Sequence, residues 1–431
     1  MSLSEDLLSQ SSLKKVSEVC NLYLGGTPKT SISDFWNGDI KWATAKDVSN
    51  CQGRYIGETE RKITLKATLE SNAKIYPKGT IVITARGTVG KIAILSMPMA
   101  FNQTCYGLVV KPQSDSMYVF YSLKNSLADI GTLSYGTVFQ TITTKTFDEI
   151  LIKVPPLKDQ KAIAKILSDL DSKIELNQKM NSTLESIAQA IFKHWFIDFE
   201  FPNEEGKPYR LSGGDMVDSE LGEIPKGWEV IKTGDVINVI RGVSYRSDQL
   251  KYSKEALVTL KSVIRGGGFT KNGFKSYSGA YKNNQVLHSN DVIVAFTDLT
   301  QLAEVIGRPA LIKETSEYKT IVASMDIGII RPQEYFPYKF FIYHLMRSEA
   351  FHSHVLGYVN GTTVLHLSNE GPKSFKFPCP YINSIVTFEN FASQLYERVQ
   401  NNSNQIEYLT SLRDLILPKL ISGKIRVPME E

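Results

Sequence analysis

The residues that could carry out catalysis do not form a recognisable active site in this sequence. A methyltransferase that acts on an amino group needs an Asp/Asn-Pro-Pro-aromatic loop, whereas the Pro-Pro pair here, Pro155-Pro156, lies in KVPPL. The stretches GGTPKT and RGTVGK lack the spacing with which a P-loop cradles phosphate. His344, His352 and His354 share one predicted helical region, where helix-packing or surface histidines are commoner than metal ligands. We therefore predict no catalytic residue, metal or cofactor in this chain, although a nuclease pair of carboxylates beside a lysine stays an open alternative.

Polar residues in predicted turns offer a different chemistry, which is the recognition of nucleic-acid bases. Arginine, lysine, asparagine and glutamine read guanine and adenine edges in the major groove, and contacts to phosphates set the register. Any one of these residues could be an ordinary solvated side chain, but two sets of them in two basic regions favour nucleic acid. In the first half of the chain the candidates are Lys46, Arg86, Thr88, Lys91, Asn102, Gln103, Tyr135, Gln140 and Thr141. In the second half they are Arg241, Tyr245, Arg246, Lys261, Arg265, Lys271, Lys275, Thr297, Asp298, Tyr358, Asn360 and Thr362.

Two long amphipathic helices are predicted, one between these two regions and one after the second. Apolar residues recur in steps of four and three from 163 to 195, and eight of these ten positions are apolar, which is typical of a coiled coil. The same phase returns from 388 to 420. We expect the two helices to pack on each other through Ile163, Leu167, Leu170, Ile174, Asn177, Leu184, Ile191, Leu395, Val399, Asn402, Ile406, Leu409 and Ile416.

The orientation of the two helices follows from their length. A helix of about 37 residues is roughly 55 Å long, so parallel helices would require the intervening chain to return over that whole distance. Antiparallel helices avoid the return and bring Asn177 level with Asn402, where a pair of asparagines can fix the register. We predict antiparallel packing; two unrelated amphipathic helices, each on its own core, are the alternative.

The regions that flank the helices repeat in one order. YPKGTIVITARGTVGKIAIL has a counterpart in LHSNDVIVAFTDLTQLAEVIGRPALI, and the helix in MYVFYSLKNSLADIG has one in YFPYKFFIYHLMRSEAFHSHVL. Within the first region, Asn37-Gly38 predicts a hairpin turn, and Gly131 is expected to end the helix. Internal duplication therefore sets the architecture.

The predicted fold class is α+β, with two duplicated mixed α/β domains separated by two long antiparallel coiled-coil helices in a pseudo-two-fold arrangement. The predicted boundaries are 1–155 for the first domain, 156–200 for the first helix, 201–225 for a linker, 226–378 for the second domain, and 379–431 for the second helix and tail.

Composition and charge agree with a nucleic-acid partner. The chain has 431 residues with a formal net charge of +4, but residues 12–155 hold 17 Lys/Arg against 11 Asp/Glu and residues 220–380 hold 19 against 15. Two basic domains suggest a polyanion held at two places. No apolar run reaches the length of a membrane span, and the four cysteines form no CxxC pair, so we expect reduced thiols in a cytoplasmic protein.

Several of these motifs occur together in one known family. GGTPKT with FWNGDIKWATAKDV, then KGTIVITARGTVGKIAI, AFNQ and VPPLKDQKAIAKILSDLDSKIELNQ, resemble the specificity subunit of type I restriction–modification systems. LGEIPKGWEV and LRDLILPKLISGKIRV are similar to repeats of that family as well. The resemblance covers nearly the whole chain, and these motifs in this order are specific.

The resemblance implies two target-recognition domains that each read half of a bipartite DNA site, with the helices as a spacer. It also implies two modification subunits, which carry S-adenosylmethionine and methylate adenine, and ATP- and Mg-dependent restriction subunits. The second domain departs from the pattern: VAFTDLTQLAEVIGR replaces ITARGTVGK, so Arg86 and Lys91 are not expected to be kept there, and Asp298 is expected to read a base instead. The rival classes are a duplicated scaffold or peptide-binding protein and a self-contained methyltransferase or nuclease.

Overall fold

The chain divides into two compact units of mixed helix and sheet. The computed structural model describes residues 11–132, 141–300 and 302–427. Unit 1 takes the chain up to Leu176 and again from Ile406 onward, and unit 2 takes Asn177–Gln405. Both boundaries fall inside the long helices, so each long helix belongs in part to each unit. Within the described residues, none of the helices is both long and apolar enough to span a membrane.

The first globular region lies in unit 1, where an antiparallel core sheet of strand order β2-β9-β6-β7 is extended by β4, which pairs parallel with β7. A three-stranded sheet, β5-β3-β8, and a two-stranded sheet, β1-β10, lie in the same unit. The strands are β1 (Ser12–Lys15), β2 (Cys20–Leu24), β3 (Trp36–Ala43), β4 (Tyr55–Ile56), β5 (Arg61–Ile63), β6 (Ile81–Thr84), β7 (Ile92–Leu95), β8 (Ala100–Phe101), β9 (Cys105–Val110) and β10 (Leu151–Val154). The helices are α1 (Val16–Val19), α2 (Ala45–Asn50), α3 (Leu65–Glu70), α4 (Ser116–Thr132), α5 (Thr144–Glu149) and the long helix α6 (Leu157–Phe192), which continues into unit 2.

The central strands of this sheet are apolar because both of its faces are covered. Every side chain of β6 is buried, as expected for a strand with packing on both sides. Alternate residues face opposite ways, so Ile81 and Ile83 join the cluster that includes α4, while Val82 joins the cluster that includes Val48 of α2. The sheet therefore fixes the position of the β6–β7 turn from two sides.

The second globular region lies in unit 2, and its core sheet has the strand order β14-β22-β18-β20. The strands are β11 (Met216–Ser219), β12 (Gly222–Pro225), β13 (Glu229–Lys232), β14 (Ile237–Arg241), β15 (Glu255–Val258), β16 (Phe274–Ser276), β17 (Val286–Leu287), β18 (Val292–Ala295), β19 (Thr297–Asp298), β20 (Pro309–Leu311), β21 (Thr320–Ala323), β22 (Ile327–Pro332), β23 (Val359–Asn360), β24 (Leu365–Leu367) and β25 (Lys376–Cys379). The helices are α7 (Thr233–Val236), α8 (Lys339–Met346), α9 (Glu349–Leu356), α10 (Glu370–Ser374) and the long helix α11 (Ile382–Ile421), which continues into unit 1.

The internal duplication predicted from the sequence is confirmed by this strand order. In chain order, β14, β18, β20 and β22 take the places of β2, β6, β7 and β9, and the pairings among them are antiparallel in both units. The terminal pair β13-β25 likewise repeats β1-β10. The two sequences thus build one core from the same order of elements.

Two local predictions were wrong. Asn37-Gly38 does not close a hairpin: Trp36 and Ile40 both pair with Ile63, so the dipeptide forms a bulge within β3, with Asn37 at φ 61°. The helix α4 runs past Gly131 to Thr132.

The segment predicted as a linker, 201–225, is folded onto unit 2. Phe201 is buried and its ring stacks on that of Trp228 with centroids 5.1 Å apart. The strands β11 and β12 form an antiparallel hairpin within the segment, and Ile224 is buried in the same core. The proline and glycine residues that suggested a linker therefore shape turns in a packed structure.

In unit 1 the two long helices meet through apolar and charged contacts. Ile163 and Leu167 of α6 are in one buried cluster with Leu417 and Leu420 of α11. The Asp171 carboxylate, only 3 % exposed, accepts hydrogen bonds from Arg413 at 2.6 Å and from the Tyr121 hydroxyl at 2.7 Å. A buried carboxylate needs such partners because desolvation is costly.

Hydrogen bonds and an ion pair also connect the first globular region to α6. Arg54 donates to both carboxylate oxygens of Glu175 at 2.8–3.0 Å and to the hydroxyl of Ser172 at 2.8 Å. Tyr121 donates to the carboxylate of Asp171 at 2.7 Å. A bidentate pair of this kind has a defined geometry, so it sets the orientation of the globular region on the helix.

In unit 2 the helices run antiparallel, as predicted, but the asparagine register differs. Asn402 donates to the side chain of Asn181 at 2.9 Å, and Asn177 donates to Gln405 at 3.1 Å. The expected pair of Asn177 with Asn402 is therefore wrong by about one helical turn, because the antiparallel stagger places Asn402 beside the next stripe position of α6.

The predicted interface positions are buried or half-buried throughout. The buried positions are Ile163, Leu167, Ile174, Asn177, Val399 and Asn402, and the half-buried positions are Leu170, Leu184, Ile191, Leu395, Ile406, Leu409 and Ile416.

Candidate nucleic-acid interface

Three loops of unit 1 meet at the backbone of Ala85, and we call residues 85–91, 102–104 and 141–142 the unit 1 junction. The amide of Ala85 donates to the carbonyl of Thr104 at 2.8 Å, and its carbonyl accepts from the amide of Ile142 at 3.0 Å. These two bonds bring the β6–β7 turn, the β8–β9 loop and the segment at Thr141 side by side.

The β6–β7 turn is held by one buried hydroxyl. The Thr84 hydroxyl donates to the carbonyl of Thr88 and accepts from the amide of Lys91 at 2.9 Å. Gly90, at φ +84°, lies in the left-handed region that glycine adopts most readily. Arg86 and Lys91 are exposed, and neither has an ion-pair partner among the described residues. The turn therefore presents two exposed cations from a fixed backbone.

Two of the other predicted residues in this junction have partners within the fold. The Asn102 carbonyl oxygen accepts from the amide and the hydroxyl of Thr104, at 3.2 and 2.7 Å, so this side chain stabilises its own loop. Gln103 is exposed and its side-chain oxygen accepts from the hydroxyl of Thr27. The side-chain oxygens of both residues thus accept hydrogen bonds within the fold, and Gln103 is the more exposed of the two.

The helix α2 lies beside the same turn, since the hydroxyls of Ser49 and Thr88 are hydrogen-bonded. Lys46 of this helix is exposed and forms an ion pair with Glu60 at 2.6 Å. Thr141 is exposed, while Tyr135 and Gln140 lie outside the described residues.

Unit 2 contains the same junction, built on Phe296. The amide of Phe296 donates to the carbonyl of Asp326 at 2.8 Å, and its carbonyl accepts from the amide of Leu367 at 2.9 Å. These bonds repeat those of Ala85 in unit 1. We call residues 296–308, 324–326 and 366–367 the unit 2 junction.

The repeated bonds correct one prediction about the second domain. In unit 1 the amide of Thr84 donates to the carbonyl of Lys91, and in unit 2 the amide of Ala295 donates to the carbonyl of Arg308 at 3.2 Å. Gly307, at φ +73°, precedes Arg308 as Gly90 precedes Lys91. The cation at this place is therefore kept as an arginine, although Arg308 forms an ion pair with a glutamate, Glu349, at 2.9 Å.

Thr297 and Asp298, which were predicted to contact DNA, are buried and hydrogen-bonded within the fold. Asp298 is 1 % exposed, and its two oxygens accept from the amides of Thr300, Val305 and Ile306 at 2.7–3.1 Å. Burial acts to raise the pKa of Asp298, but these hydrogen bonds outweigh it and lower the pKa below its ordinary value. Asp298 therefore organises the loop from 298 to 306 instead of reading a base.

Thr297 is buried as well, and its hydroxyl donates to the carboxylate of Asp326 at 2.7 Å. Beside it, the Arg241 guanidinium lies 4.1 Å from the centre of the Phe296 ring. Burial lowers the pKa of Arg241, and the charge of Asp326 opposes that effect. Lys275 lies 5.8 Å from the centre of the Tyr245 ring. Arginine, lysine, tyrosine and aspartate are thus gathered at one side of the unit 2 junction.

The remaining predicted residues of unit 2 vary in exposure. Arg265 forms an ion pair with Glu304 at 3.2 Å, Lys271 is half-buried, and the Tyr358 ring lies 5.1 Å from that of His354. Those that are exposed to solvent are Arg246, Lys261, Asn360 and Thr362.

His344, one of the three histidines considered as metal ligands, is a packing residue. His344 is fully buried between Gln189, 2.8 Å from its Nδ1, and the Tyr396 hydroxyl, 3.1 Å from its Nε2. Burial, assisted by the charge of Arg347, lowers the pKa of His344 to about 3, so the ring is neutral. Within the ranges that the structure describes, His, Cys, Asp and Glu side chains form no group of three that could hold a metal.

Sequence reasoning missed Met325, Asp326 and Arg308 as members of the unit 2 junction. The pattern Val-Gly-Lys at 89–91 does recur as Ile-Gly-Arg at 306–308. The segment between β18 and Gly307 is longer than the segment between β6 and Gly90, so the correspondence was not recognised from the sequence.

Comparisons with known proteins agree with this architecture. Residues 9–186 match the family described as type I restriction modification DNA specificity domain. The specificity subunit of the type I restriction enzyme MjaIX from Methanocaldococcus jannaschii is 32% identical over 420 residues, which is 96% of this chain and 93% of that protein. The MjaVIII specificity subunit of the same organism is 26% identical over 73% of this chain and 71% of its own length.

A solved structure shares the fold. The S subunit of a type I restriction–modification system from M. genitalium superposes with a TM-score of 0.52 at 15% identity, and the match covers 100% of this chain and 99% of that one. At this identity the likeness concerns the fold alone. Taken with the sequence relatives, the duplicated junctions and the paired long helices, it means that this chain belongs to the family of type I restriction–modification specificity subunits.

Proposed function

We propose that each unit reads one half of a bipartite double-stranded DNA site, through the unit 1 junction in one case and the unit 2 junction in the other. The observation that carries this proposal is the repetition of one loop arrangement with different side chains at its surface. Arg86 and Gln103 are exposed in unit 1, whereas Arg241, Tyr245 and Asp326 gather in unit 2. One scaffold with two side-chain sets can recognise two different sequences.

The proposed roles of the predicted residues follow from their exposure. Arg86 and Lys91 are exposed cations on a fixed turn, and arginine pairs well with guanine while lysine suits phosphate or guanine. Lys46, Thr88 and Thr141 lie close to that turn and suit phosphate contacts. In unit 2 the exposed Arg246 and Lys261, together with Asn360 and Thr362, are proposed contacts on the same reasoning.

The chain itself is proposed to bind neither cofactor nor metal and to act through partners. Two modification subunits would bind S-adenosylmethionine and methylate adenine, and restriction subunits would use ATP and Mg²⁺ to translocate and cleave DNA. The burial of His344 between Gln189 and Tyr396 supports a packing role for this histidine instead of metal binding.

The long helices are proposed to set the gap between the two half-sites. Helix α6 has 36 residues and α11 has 40, which at 1.5 Å per residue is roughly 55–60 Å. Paired helices with buried apolar stripes resist bending more than a loop does. A gap of fixed length is the expected consequence.

The experiment that tests the function has two parts. The purified chain alone should transfer no methyl group to DNA when S-adenosylmethionine is added, while the same chain with its modification subunit should methylate specific sites. Binding of duplex DNA by that complex should fall steeply with salt, because cations on the protein replace counterions on the phosphates.

Two outcomes would contradict the proposal. Methyl transfer by the chain alone would identify a self-contained enzyme, and binding to DNA that is absent or insensitive to salt would favour the scaffold or peptide-binding class.

A further inference from the structure

The loop Ser324–Asp326 of unit 2 corresponds residue by residue to the loop Asn102–Thr104 of unit 1. In each unit, two consecutive amides after the first core strand donate to the carbonyls that flank the loop. The bonds are Gly25 to Cys105 at 3.0 Å and Gly26 to Phe101 at 3.0 Å, and Gly242 to Ile327 at 3.2 Å and Val243 to Ala323 at 2.8 Å. The flanking residues Phe101 and Cys105 of unit 1 therefore correspond to Ala323 and Ile327 of unit 2. Met325, midway between its two flanking residues, occupies the position of Gln103.

Met325 is presented to solvent from a backbone that is held on several sides. Its amide donates to the carbonyl of Val243 at 2.7 Å. The next residue, Asp326, is bonded through its carbonyl to Phe296 and through its carboxylate to Thr297. The Met325 side chain is nevertheless 50 % exposed. An apolar side chain thus projects from a rigid loop that is bonded to Val243, between Arg241 and Tyr245 in the chain.

The chemistry of the two side chains differs at this shared place. The amide of glutamine can donate and accept two hydrogen bonds, which suits adenine in the major groove. A thioether offers no hydrogen-bond donor, and its natural major-groove contact is the 5-methyl group of thymine. The two units would then read different bases with equivalent loops.

We propose that Met325 contacts the methyl group of a thymine in the half-site read by unit 2, at the place where unit 1 uses Gln103. This inference rests on the proposed function, since it assumes that the unit 2 junction faces DNA bases. It adds a residue that determines specificity and names the chemical group that it recognises.

The test replaces single thymines by uracil in duplexes that carry the methylated site, so that only the 5-methyl group is removed. Binding is measured with the complex of the full chain and its modification subunit. Loss of one buried methyl contact should weaken binding about fourfold at one thymine position. In Met325→Gln this penalty should disappear at that position alone, and in Met325→Leu it should persist because the side chain stays apolar.

A matched control is Met97→Gln, since Met97 is also an exposed methionine but lies just past β7, at the end of the β6–β7 pair away from the turn. This variant should keep every uracil penalty of the unchanged chain. Thermal unfolding of all variants should agree with the unchanged chain, because both methionines are exposed.

Three results would overturn the inference while leaving the proposed function intact. The first is that Met325→Gln shows the same loss of binding on uracil replacement as the unchanged chain. The second is that no thymine in that half-site affects binding when it is replaced by uracil. The third is that Met325→Gln binds all sequences more weakly and to the same extent, as expected for a side chain wedged between bases. If instead the unchanged complex shows no sequence preference, the proposed function itself fails.

Discussion

Asp298 provides a sharp test because sequence and structure assign it different roles. Asp298→Asn keeps the size of the side chain but replaces one of two accepting oxygens by an NH2 group. The structure gives four hydrogen bonds to this carboxylate: the amide and hydroxyl of Thr300 at 2.7 and 2.8 Å, and the amides of Val305 and Ile306 at 2.8 and 3.1 Å. Thr300 donates to one carboxylate oxygen, and the amides of Val305 and Ile306 donate to the other. In Asp298→Asn, one of these two sets of donors must therefore face the NH2 group, which is itself a donor and cannot accept their hydrogen bonds.

The expected cost is large for a single substitution. A hydrogen bond to a charged group contributes about 1.5–3 kcal/mol, so the loss of two lowers the free energy of unfolding of unit 2 by about 3–6 kcal/mol. The assay is urea denaturation of the intact chain, together with hydrogen exchange at the amides of Val305 and Ile306. The matched control is Glu304→Gln in the same loop, whose ion pair with Arg265 is exposed and should contribute about 1 kcal/mol or less.

The pH dependence of this contribution has a defined sign. The pKa of Asp298 is lowered in the folded chain, so the stabilisation is present at neutral pH and is lost as the pH falls below the ordinary aspartate value of about 4 and through the folded pKa. An Asp298→Asn chain with unchanged stability and a changed target base would refute the structural role and restore the base-reading one.

Four further outcomes are expected. Arg86→Ala should weaken specific DNA binding by about 1–3 kcal/mol if the guanidinium pairs with a base edge; an unchanged affinity and salt slope would place it off the DNA. Arg54→Ala leaves a carboxylate on α6 without its partner and should cost about 3 kcal/mol in unfolding of unit 1, measured by denaturation. Because the pKa of His344 is lowered to about 3, stability should fall as the pH drops below about 6.5, by about 2 kcal/mol at pH 5, and His344→Gln should lose that part of the dependence in thermal melts at pH 7 and 5. One heptad inserted after Asn177 and one after Asn404 adds roughly 10 Å of helix, so the gap in the methylated site should lengthen by about three base pairs at 3.4 Å each; an unchanged gap in an active complex would assign the spacing to the partners.

The core of the fold was predictable because the residues that become buried recur at regular intervals along the sequence. The strands β6 and β7 and both long helices follow apolar runs or stripes whose spacing depends on local geometry. The internal duplication of the two domains was predictable for the same reason. The register between the helices was not, since the stagger of an antiparallel pair depends on how side chains interlock across it, and this moved the partner of Asn402 from Asn177 to Asn181.

The candidate site was less predictable because exposure and pairing depend on tertiary contacts. The sequence Asp-Leu-Thr at 298–300 did carry a signal, since aspartate often accepts from the backbone two residues on, and Thr300 is such a donor here. That reading would have placed Asp298 inside its loop. For Met325 no local signal exists, because its role is suggested by a bonding pattern that joins residues far apart in the chain.

The most direct test of the central claim is the methylated sequence in cells that carry this chain with its modification subunit, compared with cells in which residues 226–378 are replaced by the corresponding region of another specificity subunit. One half of the bipartite site should change, while the other half and the length of the gap stay the same. A site in which both halves change, or neither does, would contradict the reading of separate half-sites by the two units.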